Sequence, residues 1–100
     1  MSVMELTGAQ RRHLRALAHS KKVVVTLGQR GLTPQVTAEV EAALAHHELI
    51  KIRLPAAAPP ERRALAARIA EAAGGAVVQL IGRVAVLYRP AETPRIRLPR

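Results

Sequence analysis

The chain has 100 residues and a formal net charge of +9, from sixteen Lys and Arg against seven Glu, with no Asp and no Cys. That length builds one small domain with a single modest core, and the missing cysteines exclude disulfide frameworks, thiolate metal sites and thiol nucleophiles. No apolar run approaches the roughly 18 residues of a membrane span, and the N-terminus has no signal-peptide pattern, so a cytoplasmic protein is expected.

In chain order, Leu6, Ala9, Leu14, Leu17 and Ala18 follow helical spacing from Thr7 to about Ala18, with Thr7 and Gln10 set as a capping box. The other face of this helix carries Arg11, Arg12 and Arg15, a stripe that suits either a polyanion or water. Val23 to Leu27 is a nearly continuous apolar run, the pattern of a strand buried on both faces in a sheet with parallel pairing. Gly28-Gln29-Arg30-Gly31 follows, then Thr33 as N-cap and Pro34 as first residue of a second helix that ends near His47. Val36, Val40, Ala43 and Leu44 form its buried side, and Glu39 and Glu41 its outer one.

Leu49 to Leu54 alternates, with Ile50, Ile52 and Leu54 on one face and Lys51 and Arg53 on the other. Pro55 to Pro60 is a connector. A third helix from Pro60 to Ala73, built around Leu65, Ile69 and Ala72, stops at Gly74-Gly75, where a left-handed C-cap is wanted. Ala76–Ile81 and Val84–Tyr88 are strands joined by Gly82-Arg83, a two-residue turn with glycine first that suits type II′ and puts Arg83 at an exposed tip. From Arg89 onward, Pro90, Pro94 and Pro99 with Arg95, Arg97 and Arg100 form an aperiodic basic tail, extended over the body or mobile. The reading is an α/β domain over residues 1–90, ordered α-β-α-β-α-β-β with a mixed four-stranded sheet packed against three helices, and a tail at 91–100; strand order stays open.

The charge is segregated. Six of the cations and one carboxylate fall in residues 1–31, whereas 32–48 holds three carboxylates and no Lys or Arg. A polyanionic partner, nucleic acid first, fits this balance. The Gly-x-x-Gly segment reads either as an ordinary turn or as a phosphate grip in which unobstructed backbone N–H groups and the start of the second helix face an anion. Arg30 supplies a bidentate grip, with Lys21 and Lys22 as point charges; Lys51 and Arg53 come second, Arg83 and Arg89 third. Tyr88 is the sole aromatic residue, so a platform of stacked rings is missing and contacts should fall on phosphate and sugar. His46, His47 and Glu48 have no third metal ligand in reach of the pattern, and capping of the helix C-terminus is the favoured role for the histidines. Without a placed nucleophile and base, the chain offers an enzyme little; no catalytic residue, metal, cofactor, small-molecule substrate or membrane partner is expected, and a monomer is.

Several motifs in order carry a resemblance across nearly the whole chain: Leu6 to His19, Val25 to Thr33, Ala45 to Ile52 and Val78 to Pro90. Together they resemble the CRM domain family, most of all its stand-alone bacterial, YhbY-like form. The resemblance implies an RNA-binding domain associated with precursors of the large ribosomal subunit, recurring in plant organelle splicing factors. It also implies a fold similar to the C-terminal domain of a bacterial translation initiation factor. The family's loop maps onto Gly28, Gln29, Arg30 and Gly31. The alanine- and proline-rich stretch Ala56 to Pro60 departs from the pattern. A protein-interaction adaptor, recruiting through Glu39 and Glu41 and tethered to the ribosome by its cations, is the alternative.

Overall fold

The computed structural model describes residues 5–100. Its elements are α1 (Gly8–Ala18), β1 (Val23–Thr26), α2 (Pro34–His47), β2 (Leu49–Arg53), α3 (Pro59–Ala72), β3 (Ala76–Ile81) and β4 (Val84–Tyr88), the expected order. The local signals act where they stand. Thr7 accepts from the Gln10 N–H at 3.1 Å while Gln10 Oε1 accepts from the Thr7 N–H at 3.0 Å. Thr33 accepts from the Val36 N–H at 3.1 Å, with Pro34 behind it. Gly74, at φ 74°, ends α3, and Gly82, at φ 57°, opens the hairpin turn.

The four strands lie in the order β1-β2-β4-β3. β1 pairs with β2 in parallel, whereas β4 is antiparallel to both its neighbours. β4 thus separates β2 from β3, so the second strand-helix-strand passage skips one position. Helices cover both faces. On one, α2 and α3 enclose the main core of Val25, Leu27, Val40, Leu44, Ile50, Ile52, Leu54, Ile69 and Leu87. On the other, α1 sets Leu14 and Ala18 against Leu49, Val78, Val86 and Tyr88, with Ile96 and Leu98 of the tail beside them. The sheet is therefore buried on one face along its length and on the other only in part.

The structure departs from the sequence reading in several details, among them Leu17 of α1, which is exposed. β1 is an edge strand buried on one face only: Val25 is buried, but Val24 is 49 % exposed and Thr26 is exposed. Its apolar run is broken by a register shift between Val23 and Val25, which removes Val24 from regular pairing. In α3, Ala72 is exposed, and Ala66 and Ala70 supply the small contacts instead.

Arg11 leaves the basic stripe. Its guanidinium donates to the Val77 carbonyl at 2.6 Å and reaches that of Val78 at 3.4 Å, at the irregularity in β3 between Val77 and Gln79. It gives carbonyls beside that irregularity a charged donor. Gly75 is tight for another reason: a Cβ there would meet the Tyr88 carbonyl oxygen at 2.8 Å. Gly75→Ala should destabilise by about 1–3 kcal/mol, as overpacking against backbone does, measured as a lower urea midpoint at unchanged slope.

The tail is tied down rather than mobile, and its anchor is Glu48. This residue ends α2 at φ 65° and is fully buried. Glu48 Oε2 accepts from the Ala91 N–H at 2.7 Å, and Oε1 from the Arg95 and Ile96 N–H groups, each at 3.0 Å. The Arg95 guanidinium lies 3.7 Å from the same carboxylate and donates to the His46 carbonyl at 2.7 Å. Burial alone would raise the Glu48 pKa; the three N–H donors and Arg95 outweigh it and hold it below the ordinary 4.5. An apolar hollow of about 390 Å³ remains under the tail, bordered by Leu6, Gln10, Tyr88, Ile96 and Leu98.

Candidate nucleic-acid interface

The Gly-x-x-Gly loop sits at the carboxyl end of the parallel strands. The Leu27 N–H donates to the Arg53 carbonyl at 2.9 Å, extending the β1–β2 ladder by one step before the chain turns away. The Gly31 N–H then donates to the Gly28 carbonyl at 3.0 Å, closing a tight turn with Gln29 and Arg30 exposed at its tip. One N–H of the loop is thus committed to the turn, while those of Gln29 and Arg30 make no hydrogen bond among the described residues. The two glycines serve different ends. Gly31 has φ 67°, a backbone conformation that favours glycine, and a Cβ there would touch Leu65 of α3 at 3.8 Å. Gly28 has no such φ, and a Cβ there would meet nothing within 4 Å; it leaves open space beside the tip.

The start of α2 is three residues downstream, and its Thr33 cap uses one of the orphan N–H groups of the first turn. Loop tip and helix dipole therefore point positive potential to the same end of the sheet. Arg53, on the last position of β2, joins them there. So does Arg83: the Leu54 N–H donates to the Arg83 carbonyl at 2.6 Å, and Arg83 Nε returns a bond to the Leu54 carbonyl at 2.9 Å. That reciprocal pair fixes the arginine stem and leaves the two terminal nitrogens of the fork for a ligand.

The other candidates are distributed. Lys51, half-buried, shares the α1 side of β2 with Arg53 and lies two residues back along it. Lys21 and Lys22 are exposed, but they precede β1 and stand at the opposite end of the strand from the loop, with Lys22 roughly 20 Å from Gly28 at about 3.3 Å per residue. Arg89 is occupied. Its guanidinium donates to the Ala73 carbonyl at 2.9 Å and to the Glu41 carbonyl at 3.3 Å, tying the end of α3 to α2. Among the described residues the one ion pair is Arg95–Glu48, so Arg30, Arg53, Arg83, Lys21, Lys22 and Lys51 are not neutralised by a carboxylate. His46 and His47 stack edge to face at 4.5 Å on the last turn of α2. Glu48 turns away from them into the tail, and no group of three His, Cys, Asp or Glu gathers among the described residues. No described helix is long and apolar enough to cross a membrane.

Sequence reasoning missed the inward roles of Arg11, Arg89 and Glu48. No local pattern marked Glu48, since the strand after it alternates apolar and basic residues and is compatible with a solvated carboxylate at its start.

The fold recurs in a solved structure, and the sequence in curated relatives. The solution structure of SAV1595 from Staphylococcus aureus, described as a candidate RNA-binding protein, superposes with a TM-score of 0.83 at 33 % identity, over 95 % of this chain and all of that one. An RNA-binding protein of Haemophilus influenzae is 44 % identical over 95 residues, spanning 95 % of this chain and 96 % of its own. The probable RNA-binding protein PA4753 of Pseudomonas aeruginosa is 38 % identical, covering 95 % and 91 %. The CRS1/YhbY (CRM) domain model matches residues 6–89, from the residue before the α1 cap to the arginine that ties α3 to α2. With the fold of a solved relative, identity along nearly the whole chain and a family match over residues 6–89, the protein belongs to the CRS1/YhbY (CRM) domain family.

Proposed function

We propose that this protein is a non-catalytic, cytoplasmic RNA-binding factor that acts as a monomer in ribosome assembly. It docks on ribosomal RNA of large-subunit precursors through the Gly28–Gly31 loop and the cations around it. One observation carries the reading: the exposed Gln29–Arg30 tip stands beside the start of α2 and at the same sheet end as Arg53 and Arg83, and among the described residues its N–H groups are unengaged and none of these cations is paired with a carboxylate. Relatives named as RNA-binding proteins support RNA as the polyanion. Lys21 and Lys22 belong to a second contact further along the RNA backbone. The Arg89 side chain contributes through the fold, since its guanidinium is already shared between two carbonyls.

Such a surface grips phosphate and sugar, so affinity depends on counterion release. With about six phosphates neutralised on a single strand, the plot of log K against log salt should have a slope of about −4. A complex whose affinity is flat in salt would overturn the reading. In a sucrose gradient of cell lysate at low salt, the protein should travel with large-subunit precursors and leave them at high salt. Recovery only among free proteins at both salts would count against ribosome assembly.

A further inference from the structure

The side of the sheet that carries α1 is only half covered. The strand registers align one residue from each strand in a transverse row: Thr26 with Arg53, Arg53 with Val84, and Val84 with Ile81. Cross-strand partners project from the same face, so these four side chains form one line across the sheet, about 14 Å wide at roughly 4.8 Å per strand. The neighbouring position on this face, Val86, is buried under α1, as are Leu49 and Tyr88 further along. The row itself is not: Thr26 and Arg53 are exposed, Val84 is half-buried, and Ile81 is 64 % exposed, the most open large aliphatic residue among those described.

Arg53 closes the central strand β2 in the open, with Thr26 on one side and the aliphatic pair Val84 and Ile81 on the other. Its position says more. Arg53 bonds through its carbonyl to Leu27, one residue before the Gly-x-x-Gly loop, and Val84 follows Arg83. The row is therefore the floor that continues inward from the loop tip. The charge nearest to it is one-sided: Arg53 lies in it and Lys51 behind it, whereas Glu39, Glu41, Glu61 and Glu71 belong to α2 and α3 on the opposite face and Glu5 lies beside Tyr88 at the far end of β4.

We infer that this row, Thr26–Arg53–Val84–Ile81, is a binding floor for unpaired nucleotides, and that the chain selects single-stranded over duplex RNA. The inference rests on RNA being the ligand of the loop. The strand held at the loop by phosphate passes onto the sheet, where Arg53 takes a phosphate or lies against a base, and Val84 and Ile81 take the apolar faces of ribose or base. Aliphatic side chains do here, more weakly and without reading sequence, what aromatic rings do in other sheet-based RNA binders. An A-form duplex keeps its bases stacked inside and cannot lower them onto a flat sheet.

The test compares a labelled oligouridine with a blunt RNA duplex of the same length, by fluorescence anisotropy, for the full chain and two variants. Ile81→Ser, at an open position, should weaken the single strand roughly three- to tenfold by loss of apolar contact, leave its salt slope unchanged, and leave duplex binding untouched. Arg53→Ser should weaken it too and make the slope shallower by about 0.7. Equal affinity of the unmodified chain for strand and duplex, or no effect of Ile81→Ser on either, overturns the inference while the loop reading stands. No binding of either RNA removes both. Loss in Ile81→Ser of a co-purifying protein, with RNA affinity unchanged, would make the row a protein contact and also overturn it. Circular dichroism and the unfolding midpoint of both variants, expected to match the unmodified chain, verify the fold.

Discussion

Replacing Glu48 by Ala should cost about 3 kcal/mol of stability, which in a domain of this size corresponds to a melting temperature lower by roughly 10–20 °C. Three backbone N–H groups converge on this one carboxylate. Without it, either they stay buried unbonded or the tail leaves, taking Ile96 and Leu98 from the second core. Glu48→Gln is nearly as informative. Its single amide oxygen can replace Oε1 against Arg95 and Ile96, but its NH₂ then faces the Ala91 N–H, donor against donor, so a loss of about 2 kcal/mol is expected. Glu48→Gly removes the same anchor yet relieves the left-handed backbone, and should recover about 1 kcal/mol relative to Ala.

The carboxylate also sets a pH dependence. Because its folded pKa lies below the ordinary 4.5, the stabilisation is fully present above that value and is lost as pH falls through the folded pKa. Unfolding free energies between pH 7 and pH 3 should therefore fall more steeply for the natural chain than for Glu48→Gln. Tyr88 provides a second readout of the same contact. Burial raises its phenol pKa, and the Glu48 charge raises it further. Phenolate absorbance should then show Tyr88 titrating at lower pH in Glu48→Gln than in the natural chain. Equal titration in both proteins would mean that the charge of Glu48 does not reach the ring.

The second large effect is expected at the loop. Gly28→Glu places a carboxylate beside the exposed tip at a position with room for a side chain and no requirement for positive φ. It should leave the unfolding midpoint within about 0.5 kcal/mol, as surface substitutions usually do. RNA affinity should nevertheless fall roughly 10- to 100-fold at low salt, and Arg30→Ala should fall about tenfold with one contact fewer in the salt slope. Gly31→Ala is a poor substitute for this test, because a side chain at φ 67° costs about 1–2 kcal/mol by itself. Gly28→Glu with intact fold and undiminished RNA affinity would move the binding site away from the loop and favour an adaptor that recruits through Glu39 and Glu41.

How much of this was legible in the chain depends on the range of the forces involved. The capping box at Thr7, the Thr33-Pro34 helix start, the stop at Gly74 and the Gly82-Arg83 turn each depend on a few adjacent residues, and each formed where its sequence signal lay. The alternation of Ile50, Ile52 and Leu54 with Lys51 and Arg53 likewise determined which side of β2 would be basic. A cation, however, looks the same in sequence whether it faces solvent or a carbonyl 66 residues away, as Arg11 does with Val77. The apolar run of β1 could not reveal that it lies at an edge, because strand order follows from packing helices onto both faces of the sheet. Composition, local periodicity and ordered motifs thus determined the elements, the charge segregation and the family. Tertiary structure alone decided that Glu48 would anchor the tail, that Arg89 would be occupied, and that one row of the sheet would stay open beside the loop. Those outcomes depend on contacts that chain folding creates between residues far apart in sequence, where no local pattern records them.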